Sequence, residues 1–325
     1  MEATVVIAKE AGGPEVLEIK SRPLGTPGEG QVLLRQTAVG LNYIDTYHRS
    51  GLYPLAMPSG IGLEAAGVIE AVGPSVHDLA AGDKVAYGTG PIGAYASARV
   101  MPAASLVRLP EGVDDRMAAA MMLKGLTVHY LIRQLYPVKE GETVLFHAAA
   151  GGVGLIACQW LEALGARVIG TVGSAEKGAL ARAHGCHHII NYRDEKVPER
   201  VKELTDGEGV PVVFDGVGKD TWEMSLDCLQ PCGLMVSFGN ASGAVPPVNL
   251  AQLSAKGSLT VSRPTLMTYT RTPARRQAMA RELFRRVKVG EVSIRIDQTY
   301  PLREAEQAHR ELEGRKTTGS TVLLP

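Results

Sequence analysis

The stretch Thr143-Val-Leu-Phe-His-Ala-Ala-Ala-Gly-Gly-Val-Gly-Leu-Ile-Ala constrains the fold more than any other part of the chain. Thr143 to Ala148 is a short apolar run with β character, and a turn of small residues follows from Ala149 to Gly154. Leu155, Ile156, Trp160, Leu161 and Leu164 then recur at helical spacing, and Gly165 stops the helix. Strand, tight glycine turn and helix open a dinucleotide-binding βαβ unit. Ala149-x-Gly151-x-x-Gly154 fits that fingerprint, with alanine in the first glycine position. Gly151 lets the backbone approach a pyrophosphate, and Gly154 lets helix and strand pack closely. The unpaired N–H groups of the first helical turn attract phosphate oxygens. A glycine turn without a ligand is the plain alternative. The position of this one between a clear strand and a clear helix predicts a nucleotide site.

A length of 325 residues suggests two domains, and 45% hydrophobic content supplies enough apolar side chains for two cores. With 34 basic and 34 acidic side chains the formal charge is zero, which removes the electrostatic signature of a dedicated nucleic-acid binder. The opening Met1-Glu-Ala-Thr-Val-Val-Ile-Ala-Lys-Glu lacks a basic region and a long apolar stretch, so it reads as a first strand and not a signal peptide. No run reaches the length of a membrane helix. Cys158, Cys186, Cys228 and Cys232 form no Cys-x-x-Cys pair and read as reduced, mostly buried thiols of a cytoplasmic protein.

Residues 1 to about 125 read as short strands cut by Gly and Pro, the clearest being Val5–Ala8, Val16–Ile19, Gln31–Arg35 and Gly67–Val72. Asn42 to Arg49 reads as a short helix, and Asp114 to Leu123 as a helix leading out of this unit. Beyond Lys124, a helix from Thr127 to Leu135 precedes alternating strands and helices. The strands are Thr143–Ala148, Arg167–Thr171, His188–Asn191, Val212–Asp215, Gly233–Ser237 and Ser258–Ser262. Such alternation builds a doubly wound parallel sheet with helices on both faces. A basic helix over 273–289, β-like sequence at Ile294–Thr299, a helix over 302–313 and a strand at Thr321–Leu324 close the chain. The expected organisation is α/β, with a β-rich domain of residues 1–125 and 266–325 and a Rossmann domain of residues 126–265. The last Rossmann strand, Ser258–Ser262, contains no proline and is expected at a sheet edge, where pairing with a second copy makes a homodimer.

In a Rossmann domain an acidic residue at the end of the second strand binds the ribose 2′-OH of NAD. Here that end is Thr171-Val172-Gly173-Ser174, with no Asp or Glu, and Lys177 follows in the next helix. A neutral strand end beside a cation suits a 2′-phosphate, and Tyr192, just past the third strand, can add a hydroxyl. The expected cofactor is NADPH.

The motifs Ala149-Ala-Gly-Gly-Val-Gly with Gln159 downstream, and Asn42-Tyr-Ile-Asp-Thr-Tyr upstream, resemble the zinc-free quinone oxidoreductases of the medium-chain dehydrogenase/reductase superfamily, which include zeta-crystallin. The resemblance extends to Ser225-Leu-Asp-Cys-Leu-Gln and Met235-Val-Ser-Phe-Gly-Asn. Glu162 departs from the family pattern, but it lies outside the glycine turn. The resemblance implies a GroES-like catalytic domain, a Rossmann domain, a cleft between them and a dimer. It places Asn42 and Tyr47 beside the cofactor and adds Thr127, Tyr130, Gly151, Gly152, Val153, Val217, Phe238, Gly239, Asn240, Arg263 and Arg315 to Gly173, Ser174, Lys177 and Tyr192 as nucleotide contacts. Asn42, Asp45, Tyr47 and Tyr53 are the expected polar residues at the substrate. Zinc-dependent relatives carry Cys and His ligands where this chain has Asn42 and Leu63, and neither residue replaces them. Without a metal, the chemistry rests on the nicotinamide: hydride delivery to a flat, electron-poor quinone, with positioning as the main catalytic effect. His48, His129 and His147 read as structural. Two alternatives stand beside quinone reduction. One is an enal or enone reductase on the same scaffold. The other is a nucleotide-regulated, crystallin-like or RNA-binding protein using the basic patch Arg271, Arg275, Arg276, Arg281, Arg285 and Arg286, against which the neutral overall charge argues.

Overall fold

The computed structural model describes residues 2–325. In chain order the strands of the first part are β1 (Glu2–Ala8), β2 (Leu17–Pro23), β3 (Gln31–Leu41), β4 (Ser59–Gly60), β5 (Glu64–Val72), β6 (Lys84–Tyr87), β7 (Ala98–Pro102) and β8 (Val107–Arg108). Helices α1 (Tyr43–Ser50) and α2 (Asp115–Tyr130) belong to the same stretch. The middle of the chain alternates β9 (Thr143–Phe146), α3 (Gly152–Ala163), β10 (Arg167–Val172), α4 (Ala175–Arg182), β11 (His188–Asn191), α5 (Val197–Leu204), β12 (Val210–Asp215), α6 (Trp222–Asp227) and β13 (Leu229–Ser237). Then come α7 (Ala251–Ala255), β14 (Thr260–Ser262), α8 (Leu266–Tyr269), α9 (Pro273–Lys288), β15 (Ile296–Pro301), α10 (Ala305–Glu313) and β16 (Ser320–Leu324). Among the described residues, no helix is long and apolar enough to cross a membrane.

These elements form two compact units: residues 2–126 with Tyr269–Lys288 and Ile294–Pro325, and Thr127–Thr268 with Val289–Ser293. The first unit is built on β3, which pairs antiparallel with β16, β5 and β7. Its main sheet runs β15-β16-β3-β5-β6-β8, and a smaller sheet runs β2-β1-β4. Along the first half of β3 burial alternates as the two-residue period of a strand requires, with Val32 and Leu34 inward and Arg35 exposed. Val32, Leu34, Val39, Leu41, Ile61, Ile69, Val85 and Leu323 close one core. Each such side chain contributes about 1.5–3 kcal/mol of burial.

The second unit is a six-stranded parallel sheet in the order β11-β10-β9-β12-β13-β14. Counted from β9, that is the 3-2-1-4-5-6 order of a Rossmann sheet. Its strands are near-continuous apolar runs because helices cover both faces. Leu145, Ile169, Val213 and Met235 are fully buried, and the rings of Phe146 and Phe214 pack at 5.6 Å. The order reverses between β9 and β12, and the crevice beyond the carboxyl ends of those strands is where such sheets bind ligands.

Three details differ from the sequence expectation. The helices expected at 114–123 and 127–135 are one continuous α2 followed by a wide turn, closed by Tyr136 N–H on the Leu131 carbonyl at 3.1 Å. Gly125 does not break α2; a Cβ there would lie 2.5 Å from Leu283 Cδ2, so this glycine serves close packing against α9. Strand β13 begins at Leu229 and passes Pro231-Cys232-Gly233 as a bulge, with Cys232 at φ +61°. Residues 289–293, expected in the β-rich part, pack with the second unit, where Gln159 accepts from the Ser293 N–H at 2.8 Å and donates to its carbonyl at 3.1 Å.

Candidate active site

Every second-unit strand that carries a candidate residue delivers it at the same rim, the carboxyl ends of the parallel strands. Beyond β9 the chain turns through Ala148 at φ +54°, and Gly151 caps α3 with extended backbone and no side-chain cap. The first-turn amides of α3 therefore meet no side-chain acceptor of their own, the arrangement that receives an anion. A Cβ on Gly154 would lie 2.6 Å from the Ala149 carbonyl oxygen and closer still to that of Ala148. On Gly151 the nearest atom would be Ala148 O at 3.3 Å, so that position is open on its outer side.

At the end of β10, Thr171 is buried and Gly173 is followed by Ser174, whose hydroxyl caps α4 by accepting from the Lys177 N–H at 3.3 Å. Tyr192, partly exposed just past β11, brings its hydroxyl over Gly173, 2.5 Å from where a Cβ would stand. No carboxylate occupies this strand end. Beyond β12, Val217 N–H and Gly218 N–H donate to Asp215 Oδ1 at 2.7 and 3.0 Å. Beyond β13, Phe238 packs its ring on Phe146 at 5.9 Å, and Gly239 lies backbone to backbone on Gly216. Arg263, just past β14, donates to the carbonyls of Ser237 and Gly239 at 2.7 and 3.0 Å and so holds that turn with Asn240 behind it. Thr127 and Tyr130 are buried on α2. Arg315 is exposed after α10, in the first unit.

In the first unit Asn42 stands at the amino end of α1, between β3 and the helix. Its side-chain amide donates to Glu64 Oε2 at 2.8 Å. Glu64 is fully buried and also accepts from Lys124 Nζ at 3.3 Å and from the Leu123 N–H at 2.7 Å. Asn42 is thus fixed by a carboxylate that a lysine neutralises, which is the condition for burying a charge. The rings of Tyr47 and Tyr53 meet edge to face at 5.2 Å, and His48 joins them at 6.0 Å from Tyr53.

Asp45 is placed differently from its neighbours. It is fully buried, and its Oδ2 accepts from the Asn42 N–H at 2.9 Å and the Tyr95 hydroxyl at 3.1 Å. The Tyr95 hydroxyl also meets His309 Nε2 at 3.0 Å, and His309 Nδ1 lies 3.1 Å from Arg49 Nη1. Arg49 is only a donor, so Nδ1 accepts and Nε2 carries the proton. Burial, helped by Arg49, pushes the His309 pKa down to about 3 and keeps the ring neutral. Burial pushes the Asp45 carboxyl up to about 7 against the hydrogen bond from Asn42. Arg49 in turn holds Glu313 through two bonds of 2.7 and 2.8 Å. Glu64 is legible in the sequence as a polar residue inside an apolar run. Lys124, Tyr95, Arg49 and His309 carry no such signal except that His309 sits on the apolar side of its helix, beside Ala305 and Ala308.

A zinc centre does not fit this unit. Asn42 offers its amide to Glu64, Leu63 is a buried apolar residue, and no group of three or more His, Cys, Asp or Glu is arranged around a common point among the described residues.

A β-rich unit followed by a Rossmann sheet with a glycine turn after its first strand defines a two-unit pyridine-nucleotide dehydrogenase or reductase. Residues 28–111 match the family described as alcohol dehydrogenase GroES-like domain, and residues 152–284 that described as zinc-binding dehydrogenase. The chain is 59% identical to a quinone oxidoreductase of Pseudomonas aeruginosa over 97% of each chain. It superposes on the crystal structure of Escherichia coli quinone oxidoreductase complexed with NADPH with a TM-score of 0.98, at 50% identity, covering 99% of this chain and 100% of that one. A 2-haloacrylate reductase of a Burkholderia species is 45% identical over 100% of this chain and 99% of its own length. The chain belongs to the quinone oxidoreductase family of the medium-chain dehydrogenase/reductase superfamily.

Proposed function

We propose that this chain is an NADPH-dependent quinone reductase that works without a metal. The observation that carries the reading is the end of β10, where Gly173, the helix-capping Ser174, Lys177 and Tyr192 surround a strand end that has no carboxylate. That chemistry suits a 2′-phosphate and not a bare ribose hydroxyl pair. NADPH supplies a hydride from its nicotinamide ring when bound. Gly151, Gly152 and Val153 receive the pyrophosphate at the start of α3, and Thr127, Tyr130, Val217, Phe238, Gly239, Asn240, Arg263 and Arg315 complete the nucleotide contacts. Asn42, oriented by Glu64, and the Tyr47–Tyr53 pair form the substrate side. Asp45, fully buried, acts by holding the first turn of α1 through the Asn42 N–H. The test is oxidation of NADPH and of NADH, followed at 340 nm, across a panel of quinones. Turnover with NADPH on at least one quinone supports the reading, and equal efficiency with NADH counts against the assignment of the β10 end.

The likeness to a haloacrylate reductase favours a second reading, reduction of conjugated olefins on the same scaffold. Both substrates present an electron-poor carbon conjugated to an oxygen, so the same panel extended to enones and enals separates them. Assembly belongs to the proposal as well. Strand β14 is the last of its sheet, with Thr260 exposed, and an uncovered edge is a liability that a symmetry-related β14 removes. Light scattering should give a dimer mass. A cytoplasmic location rests on four unpaired cysteines, and cell fractionation tests it.

A further inference from the structure

The interior of the second unit is apolar along its strands until their carboxyl ends. There four polar side chains, all at most 2% exposed, sit together: Thr171 at the end of β10, His147 just past β9, Asp215 at the end of β12, and Ser225 on α6. Their contacts form one line. Thr171 Oγ1 lies 2.9 Å from His147 Nδ1, His147 Nε2 lies 3.0 Å from Ser225 Oγ, and Ser225 Oγ donates to Asp215 Oδ2 at 2.9 Å. The direction follows from the end. A carboxylate only accepts, so the Ser225 hydroxyl gives its proton to Asp215 and must accept from His147 Nε2–H. A neutral imidazole then has an acceptor at Nδ1, and the Thr171 hydroxyl donates to it. Burial lowers the His147 pKa against the pull of Asp215, which keeps the ring neutral.

Three of the four members also touch a turn that leaves the rim or the strand beside it. The Thr171 carbonyl accepts from the Ala149 N–H at 3.0 Å, inside the glycine turn. The His147 N–H donates to the Phe214 carbonyl at 3.0 Å, tying that turn to β12. The other oxygen of Asp215 holds the amides of Val217 and Gly218, and its carbonyl accepts from the Phe238 N–H at 2.8 Å. An apolar filling of the same space would avoid the desolvation of four polar groups; a chain of satisfied hydrogen bonds instead specifies one arrangement.

We propose that Thr171, His147, Ser225 and Asp215 are positioning residues, a directed hydrogen-bond chain that sets the turns after β9, β12 and β13 in the register that binds the dinucleotide. The proposal rests on the reading of this rim as the NADPH site. Thr171→Val keeps the β-branched shape and removes the donor, leaving His147 Nδ1 unpaired. The Kd for NADPH should rise on the order of tenfold, the KM for NADPH should rise with it, and kcat at saturating NADPH should stay within about twofold, because the chain touches turns and not reacting atoms. Thr171→Ser restores the donor and should return the Kd to within about threefold of wild type. Ser225→Ala breaks the line at its other link and should weaken NADPH in the same direction. A nucleotide-free readout is the ring ¹⁵N spectrum of His147, which should show the Nε2–H tautomer at pH 7. Unchanged NADPH affinity in both Thr171→Val and Ser225→Ala, or an Nδ1–H tautomer, would overturn the proposal. A lowered melting temperature with unaltered Kd would overturn it too, since the chain would then be a matter of stability only. Wild-type protein that binds no NADPH would defeat the functional reading instead, and the tautomer still decides the direction of the chain.

Discussion

Replacing the two outer glycines of the turn by alanine separates folding from binding. At Gly154 the added methyl meets backbone, the carbonyl oxygens of Ala148 and Ala149 and the Ala149 carbonyl carbon, the last two at 2.6 and 2.7 Å. Ordinary contact needs nearly 1 Å more, and backbone atoms in a hydrogen-bonded turn cannot swing aside as a side chain does. Overpacking of this kind costs about 1–3 kcal/mol, and the unyielding partners place it near the upper end. Alanine recovers up to about 1 kcal/mol of helix propensity, so the net loss is about 2 kcal/mol. For a unit of this size that lowers the melting temperature by roughly 4–8 °C. At Gly151 the nearest atom is 3.3 Å away and the backbone has φ −80°, which alanine adopts freely. Gly151→Ala should therefore change stability by less than about 1 kcal/mol while placing a methyl where the pyrophosphate approaches. An overlap of the same 1–3 kcal/mol raises the NADPH Kd on the order of 10- to 100-fold. Differential scanning fluorimetry and fluorescence titration of both variants read these effects. Gly151→Ala binding NADPH like wild type would remove the pyrophosphate from this turn, and Gly154→Ala as stable as wild type would refute the crowding argument.

Lys177→Ala should weaken NADPH at least tenfold more than NADH in paired titrations, because only the 2′-phosphate distinguishes them; equal losses would detach Lys177 from that phosphate. Chelator-treated enzyme should retain full activity and hold no stoichiometric zinc by metal analysis, since Asn42 and Leu63 offer no ligand. The two buried groups of the first unit should move stability oppositely with pH. The folded pKa of His309, about 3, lies below its unfolded value, so its contribution is complete above about 6.5 and fades as pH falls toward 3. That of Asp45, about 7, lies above its unfolded value, so its contribution is complete below about 3.8 and is lost as pH rises through 7. Urea midpoints should then show Asp45→Asn gaining on wild type between pH 5 and 8 and His309→Gln losing less than wild type between pH 6.5 and 4; parallel curves would contradict both assignments.

What the sequence made legible was local. The glycine turn, its strand and its helix lie within 25 residues, and each residue type there has one conformational reason to be present. The missing acid at the end of β10 was equally plain, because strand and helix periods locate the position. The role of Gly125 was not legible, because its meaning lies in Leu283 of α9, distant in sequence. Asp45 reads as a polar residue available to substrate until it is seen fully buried, accepting from Tyr95, which His309 holds in turn. The bond from Arg49 to His309 joins residues 260 positions apart, and no periodicity links them. His147 reads as a structural histidine from spacing alone, and the partners that give it direction, Thr171 and Ser225, come from two other elements.

The pairing of β16 with β3 has a consequence for synthesis. Leu41 and Thr321 are register partners, so the central strand of the first sheet emerges about 280 residues before its neighbour. At roughly 5–20 residues per second, β3 waits roughly 15–55 s with its Val39–Leu41 end unpaired on the β16 side, while β7 covers Gln31–Arg35. The parallel sheet has no such delay, since all six of its strands fall between Thr143 and Ser262. A ribosome-bound chain thus carries the complete parallel sheet while the main sheet of the first unit still lacks β15 and β16. In that interval the Val39–Leu41 end of β3 presents open N–H and C=O groups to any other nascent copy, and the release of residues 263–324 from the exit tunnel closes that window for mispairing.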